Sequence, residues 1–169
     1  RSRLPLCVMV RLRPGNFVCS PADIEAMEAE IAAVRDARVA GVVFGVLTSA
    51  GRVDGPSVER LARAARQLSV TFHRAFDEVF DLEAALDDLV ALGIDRVLTS
   101  GGAKDAHAGR RRLRGLVERS RGRIVVMAGG GVRPANAAEI LADSGVVELH
   151  SSVAFHLPGS SEYPEASEG

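Results

Sequence analysis

At 169 residues, 47% apolar and 25% charged, the chain is long enough for one water-soluble domain with a real core. A net charge of −1 and the absence of tryptophan leave neither a basic field nor a base-stacking surface for nucleic acid. No apolar run reaches bilayer-spanning length, the start RSRLPL lacks a signal-peptide pattern, and Cys7 and Cys19 make no disulfide framework; a cytoplasmic protein without nucleic-acid or membrane partners is expected.

The first strand is expected at CVMVR (7–11). A helix should follow: Ile24, Met27, Ile31 and Val34 repeat on one helical face, Ser20 suits the N-cap, Pro21 the first position and Asp23 the first turn. Gly41 is expected to end it. The second strand is VVFGV (42–46), and the second helix carries Val58, Leu61, Ala65 and Leu68 inward. VTFHR (70–74) is the third strand, followed by a helix capped by Asp81, burying Leu82, Leu86 and Leu89 and stopping at Gly93. RVLTS (96–100) leads to a helix over about 108–120, with Leu113, Leu116 and Val117 inside and Arg110, Arg111, Arg112 and Arg114 on a solvated face. IVVMA (124–128) precedes a fifth helix from Pro134 through Ile140 and Leu141 to Gly145, and VVELH (146–150) is the last strand.

Six strands alternating with helices imply an α/β chain with a parallel sheet. Strand parity separates a doubly wound sheet from a barrel. Val8, Val10 and Leu12 oppose Met9, Arg11 and Arg13; Val70 and Phe72 oppose Thr71 and His73; Val147 and Leu149 oppose Glu148, His150 and Ser152. One face is apolar throughout, while the other turns polar toward the C-terminal strand ends, as a barrel interior does at its mouth. The fold class expected is therefore a partial TIM-type (β/α) barrel, about six of eight βα units. It forms one domain over 1–156, with a disordered acidic tail at 157–169 (PGSSEYPEASEG from Pro158).

CVMVRLRPGNF, GVVFGVLTSAGRVD, VTFHRAFD, RVLTSGG, GRIVVMAGGGV and VELHSS, in that order, resemble the CutC family of copper homeostasis proteins. The resemblance implies a TIM-type barrel in which these motifs are the third to eighth strands, the first two being expected upstream of Arg1. It also implies copper as a ligand. The chain departs from the family pattern at Leu12 (usually proline), Asn16 (aspartate) and Cys19 (tyrosine), and after His150, where Ser152-Val153-Ala154 lacks the usual arginine. The family's suspected copper cysteines belong to the first two strands, so Cys7 and Cys19 inherit no ligand role and the metal residues are left unknown.

The candidate site gathers at the strand ends. His73 is a candidate acid, base or metal ligand, or a satisfied core histidine; Asp77 is positioned to orient it, or to cap a turn. Glu148 is a candidate base or an internal counter-charge, and His150 completes the catalytic candidates. Arg11, Arg13 and Arg74 need anions: a bound carboxylate or phosphate, or a salt-bridge layer that includes Glu148 or Asp77. Thr99, Ser100 and Gly101 in LTSGG, and Gly129, Gly130 and Gly131 in AGGGV, are candidate anion binders or simply tight turns. By the resemblance, AGGGV follows the seventh strand, where barrels often hold phosphate. Soft donors for Cu(I) would be Met9 and Cys7, which are more often core fillers. The partners expected are a small anionic ligand or Cu(I), and other copies of the chain in a homo-oligomer.

Overall fold

The structure is a computed structural model and describes residues 4–37 and 39–152. The acidic tail at 157–169 and the Val153-Ala154 departure lie outside the described residues.

Six strands run parallel in sequential order: β1 (Cys7–Met9), β2 (Gly41–Phe44), β3 (Ser69–Phe72), β4 (Arg96–Thr99), β5 (Val125–Gly129) and β6 (Glu148–His150). Five helices connect them: α1 (Pro21–Asp36), α2 (Gly55–Ala64), α3 (Leu82–Ala91), α4 (Ala106–Ser120) and α5 (Pro134–Ser144). A doubly wound sheet would reverse its strand order at a switch point. Here the order never reverses, so right-handed crossovers place every helix on the same face and the sheet curves around the other. This is a partial TIM-type barrel, as the strand parity predicts.

Register assigns each side chain to a face. Cys7, Gly41, Ser69 and Val43, Thr71, Arg96, Val125 follow one another across the paired strands, and Met127 faces Glu148. These residues share the concave face. The alternate positions, Val42, Phe44, Val70, Phe72, Val97, Val126 and Ala128, are buried under the helices against Ile24, Ile31, Val58, Leu61, Leu86, Leu113 and Ile140. Each fully buried aliphatic side chain contributes about 1.5–3 kcal/mol, so this layer is the main stabilising element. The concave face is more open: Met9 is 53% exposed.

A brace crosses the concave face. Arg96 makes a two-pronged ion pair with Glu148, two strands away, and its Nη1 donates to Ser69 Oγ at 3.3 Å and Thr71 Oγ1 at 3.4 Å. The sheet must curl for a β4 side chain to reach β6 over β5, and the pair holds that curl. Neighbouring helices are tied by Arg60 to Glu28 (α2–α1), Arg119 to Asp87 and Glu83 (α4–α3), and Arg110 to Asp143 and Glu139 (α4–α5). Solvent screens these exposed pairs, so they set helix register more than stability.

The helix starts follow the sequence closely. Ser20 and Asp23 form a capping box, Asp54 and Asp81 cap α2 and α3, and Gly145 ends α5 with φ 71°. Several expectations are corrected. Gly41 does not end α1, which stops at Asp36; it opens β2, where Ser69 O comes too close for any Cβ. Leu68 lies beyond α2, and Leu141 faces solvent because Ile140 takes the inward side. α4 begins at Ala106, capped by Asp105. Arg110 is bound to α5 and Arg112 donates to Gly101 O at 3.3 Å, so the arginine face is not wholly solvated. The sequence also gave no sign of the 3₁₀ turn over Arg74–Glu78.

Two glycines of α4 give opposite expectations. A Cβ on Gly109 would collide with Ser100 O, whereas Gly115 faces open space. Gly109→Ala should cost about 1–3 kcal/mol by overpacking, and Gly115→Ala should stabilise by about 0.5–1 kcal/mol through helix propensity. Urea denaturation of the two variants beside the parent chain reads both signs.

Candidate functional site

The C-terminal strand ends form a mouth with two side-chain assemblies. The first is a stack contributed by three strand–helix loops. His73 follows β3 on the concave side, and its ring lies so close to Gly45 that a Cβ there would sit 2.5 Å from Nδ1. Phe17, from the β1–α1 loop, covers the imidazole with ring centres 4.9 Å apart. Arg11 lies over Phe17 at 4.5 Å and donates to Gly15 O at 2.8 Å. The loop is anchored because Leu47 N donates to Phe17 O at 2.9 Å. The result is a histidine only 4% exposed.

The environment of His73 fixes its chemistry. Its Nδ1 accepts from Ala75 N at 3.2 Å, capping the 3₁₀ turn, so the ring proton sits on Nε2. Burial, reinforced by the positive charge of Arg11, lowers its pKa to about 4. At neutral pH His73 is an uncharged imidazole whose lone pair is already engaged.

The second assembly centres on Asp77, carried by the 3₁₀ turn. Its carboxylate accepts from Thr99 Oγ1 at 2.5 Å, Ser100 N at 3.0 Å and Gly102 N at 2.9 Å, and pairs with Arg74 Nε at 2.8 Å. Arg74 Nη2 donates to Ser100 Oγ at 3.1 Å. The guanidinium then reaches the β5–α5 loop, where a Cβ on Gly130 would lie 3.1 Å from Nη1. One carboxylate thus joins the ends of β3 and β4 and aims an arginine at the end of β5.

The candidates sort accordingly. Arg11 and His73 are brought together through Phe17; Arg74, Asp77, Thr99, Ser100 and Gly130 form the second assembly. Asp77 is directed to Arg74 and the β4 loop, not to His73, because the 3₁₀ turn rotates it toward β4. Arg13 does not join Arg11. β1 ends at Met9, parity lapses, and Arg13 turns out to Asp23 at 2.8 Å, which with Ser20 holds that carboxyl well below the usual carboxylate range. Glu148 is the counter-charge of Arg96, below the mouth. His150 stands beside Gly129, with no side-chain hydrogen bond and no approach to His73 among the described residues. Thr99 and Gly101 are turn elements, since Thr99 Oγ1 also accepts from Gly101 N at 2.8 Å.

In the glycine run, Gly129 admits Leu98, Gly130 admits Arg74, and Gly131 (φ 67°) lies against Asp105. The carbonyls of Gly130 and Gly131 are taken by Ala106 N and Asn136 Nδ2. Their amides have no partner among the described residues. Sequence reasoning missed Phe17, Gly45 and Arg96. Only Arg96 carried a signal: an arginine opening a strand on the same parity as His73 needs an interior anion. No group of three or more His, Cys, Asp or Glu side chains is arranged for a metal among the described residues. Both cysteines are free thiols, and burial pushes the Cys19 thiol up. A groove between α3 and α4, lined by Val79, Phe80, Leu82 and Arg112, opens beside the second assembly, with Asp77 and Gly102 on its wall.

Two expectations follow. Because the folded state resists protonating His73 between its ordinary pKa of 6.5 and about 4, the unfolded chain binds the extra proton there. Stability should be full above pH 6.5 and fall by about 3 kcal/mol as pH drops toward 4, a slope that urea titrations should find missing in His73→Gln. Asp77→Asn puts an amide where Arg74 and Ser100 N both donate, and should cost about 2–3 kcal/mol in the same assay at pH 7.

The chain is 42% identical over 162 residues to a CutC family protein of Parabacteroides distasonis, covering 96% of this chain and 67% of that one. It is 45% identical over 150 residues to the human copper homeostasis protein cutC homolog, covering 89% and 55%. The crystal structure of a CutC protein from Streptococcus agalactiae superposes with a TM-score of 0.83 at 34% identity, over 87% of this chain and 72% of that one. The chain thus spans between 55% and 67% of the length of these curated relatives. The CutC family model matches residues 1–155, and with the sequential parallel sheet and the six motifs in register, the chain belongs to the CutC family.

Proposed function

We propose that this chain acts in copper homeostasis, with Cu(I) as the species handled. The observation that carries the reading is family membership together with the human and mouse relatives described as copper homeostasis proteins. The chain's own soft donors support it. Cys7 and Met9 are two residues apart on one strand, share the concave face and are both exposed; thiolate and thioether are the donors Cu(I) prefers. A cytoplasmic setting, reducing enough to keep both thiols free, fits this chemistry.

A second reading is favoured by a separate observation. Arg74, held by Asp77, lies beside Gly130 and two unpaired glycine amides at the end of β5. A guanidinium next to free amides is an anion site, and in TIM-type barrels this is the side of the mouth where phosphate is commonly bound. On this reading the mouth takes a small anionic or phosphorylated metabolite.

Competition against a chromophoric Cu(I) chelator under reducing, anaerobic conditions tests the first reading. The expected result is uptake of one Cu(I) per chain, lost in Cys7→Ser and unchanged in Arg74→Ala. Uptake indifferent to Cys7→Ser, or none at all, would remove these residues from copper handling.

A further inference from the structure

We propose that His73 serves the mouth as an uncharged hydrogen-bond donor, presenting Nε2–H to an anionic oxygen of a phosphate or carboxylate drawn in by the charge of Arg11. This assigns it neither the role of a base nor that of a metal ligand, and it rests on the small-anion reading of the mouth.

The argument begins with the two ring nitrogens. Nδ1 is committed as an acceptor, because the Ala75 amide that opens the 3₁₀ turn donates to it. Only the Nε2–H tautomer satisfies that amide. No buried side-chain nitrogen or oxygen lacks a partner among the described residues, and Nε2 has no protein partner there. Nε2 therefore keeps a small contact with solvent, although the residue as a whole is buried. A donor is thus aimed outward and an acceptor inward.

A base or a metal ligand needs the opposite arrangement. To take a proton or bind a metal at Nε2, the ring would have to move its proton to Nδ1, and the Ala75 amide would then face another donor in a buried place. That orphaned pair costs about 1–3 kcal/mol. Protonation of the whole ring is opposed as well. The faces are closed by Gly45 and Phe17, and the charged group bearing on the ring is the cation Arg11; no carboxylate offsets it. A ring that stays neutral keeps a donor of constant strength across the physiological range, a recurrent way for imidazole to polarise an oxygen.

The surroundings select the acceptor. Arg11 is fixed over Phe17, and its guanidinium has only one protein partner among the described residues, Gly15 O. It has spare donors and a charge whose field reaches the imidazole, with Phe17 packed against both groups. A neutral acceptor would leave that charge unused, whereas a phosphate or carboxylate held at Nε2–H also balances it. The Asp77–Arg74 assembly is a different donor set on the β4–β5 side of the mouth, so one small anion need not touch both.

Nitrogen-15 spectroscopy of histidine in the full chain tests this without a variant. His73 should show the neutral Nε2–H pattern from pH 8 to about pH 5.5. Titration with inorganic phosphate and, separately, with acetate should move its Nε2–H signal, and the tighter of the two names the oxygen class. His73→Gln keeps a donor near the Nε2 position and should retain affinity within about threefold. His73→Asn keeps only the partner of the Ala75 amide and should lose about tenfold. An Nδ1–H tautomer, or a ring that charges near pH 6.5, overturns the inference. Phosphate shifts at the Gly130 and Gly131 amides with His73 unmoved overturn it too, yet leave the small-anion reading standing; silence at both sites ends that reading as well.

Discussion

Strand register is the constraint on which the rest depends. Six parallel strands paired without slippage carry every odd-numbered residue of β1 to β3 to the concave side and every even-numbered one to the helices. A slip of one residue in β3 would bury His73 under the helices and expose Phe72. The sealed apolar layer beneath the helices makes that slip expensive, because Val70 and Phe72 would both leave it. The polar concave side tolerates its charges because the same register brings Arg96 within reach of Glu148. Core and mouth therefore arise from one alternation.

Within that frame, the chemistry of the mouth is decided by short-range capture of polar groups. Asp77 accepts hydrogen bonds from the end of β4 and so has little capacity left for His73; what remains of its charge aims Arg74. His73 in turn accepts from Ala75 and is closed in by Phe17. Two residues four apart in VTFHRAFD, which a sequence reader would join into an acid–base pair, end in separate assemblies facing opposite neighbours. The buried histidine is polarised outward and the carboxylate inward.

This division bears on the two functional readings. The soft donors Cys7 and Met9 lie at the level of the sheet itself, whereas the arginines and His73 stand at the strand ends. Metal handling and anion recognition would use different depths of the same concavity, one governed by donor softness and the other by charge and hydrogen-bond geometry. The readings are compatible within one chain, and the substitutions that separate them touch no common residue.

Sequence alone determined the alternation of strands and helices, the apolar face of β3, the caps at Ser20 and Asp81 and the ends at Gly93 and Gly145, because these depend on neighbours within a few positions; Val147, expected on the apolar face of the last strand, is instead 82% exposed. It also marked His73, Arg74 and the glycine run as belonging to the mouth, since a strand's parity and direction are local properties. The tertiary structure alone decided which partners they take. Arg13 turns to Asp23 once β1 ends, Glu148 is claimed by Arg96 across two strands, Phe17 folds over His73 from another loop, and Gly130 is bare because Arg74 lies on it. These pairings join positions tens of residues apart, and a charged side chain is satisfied by whichever partner the curvature of the sheet brings within hydrogen-bond reach.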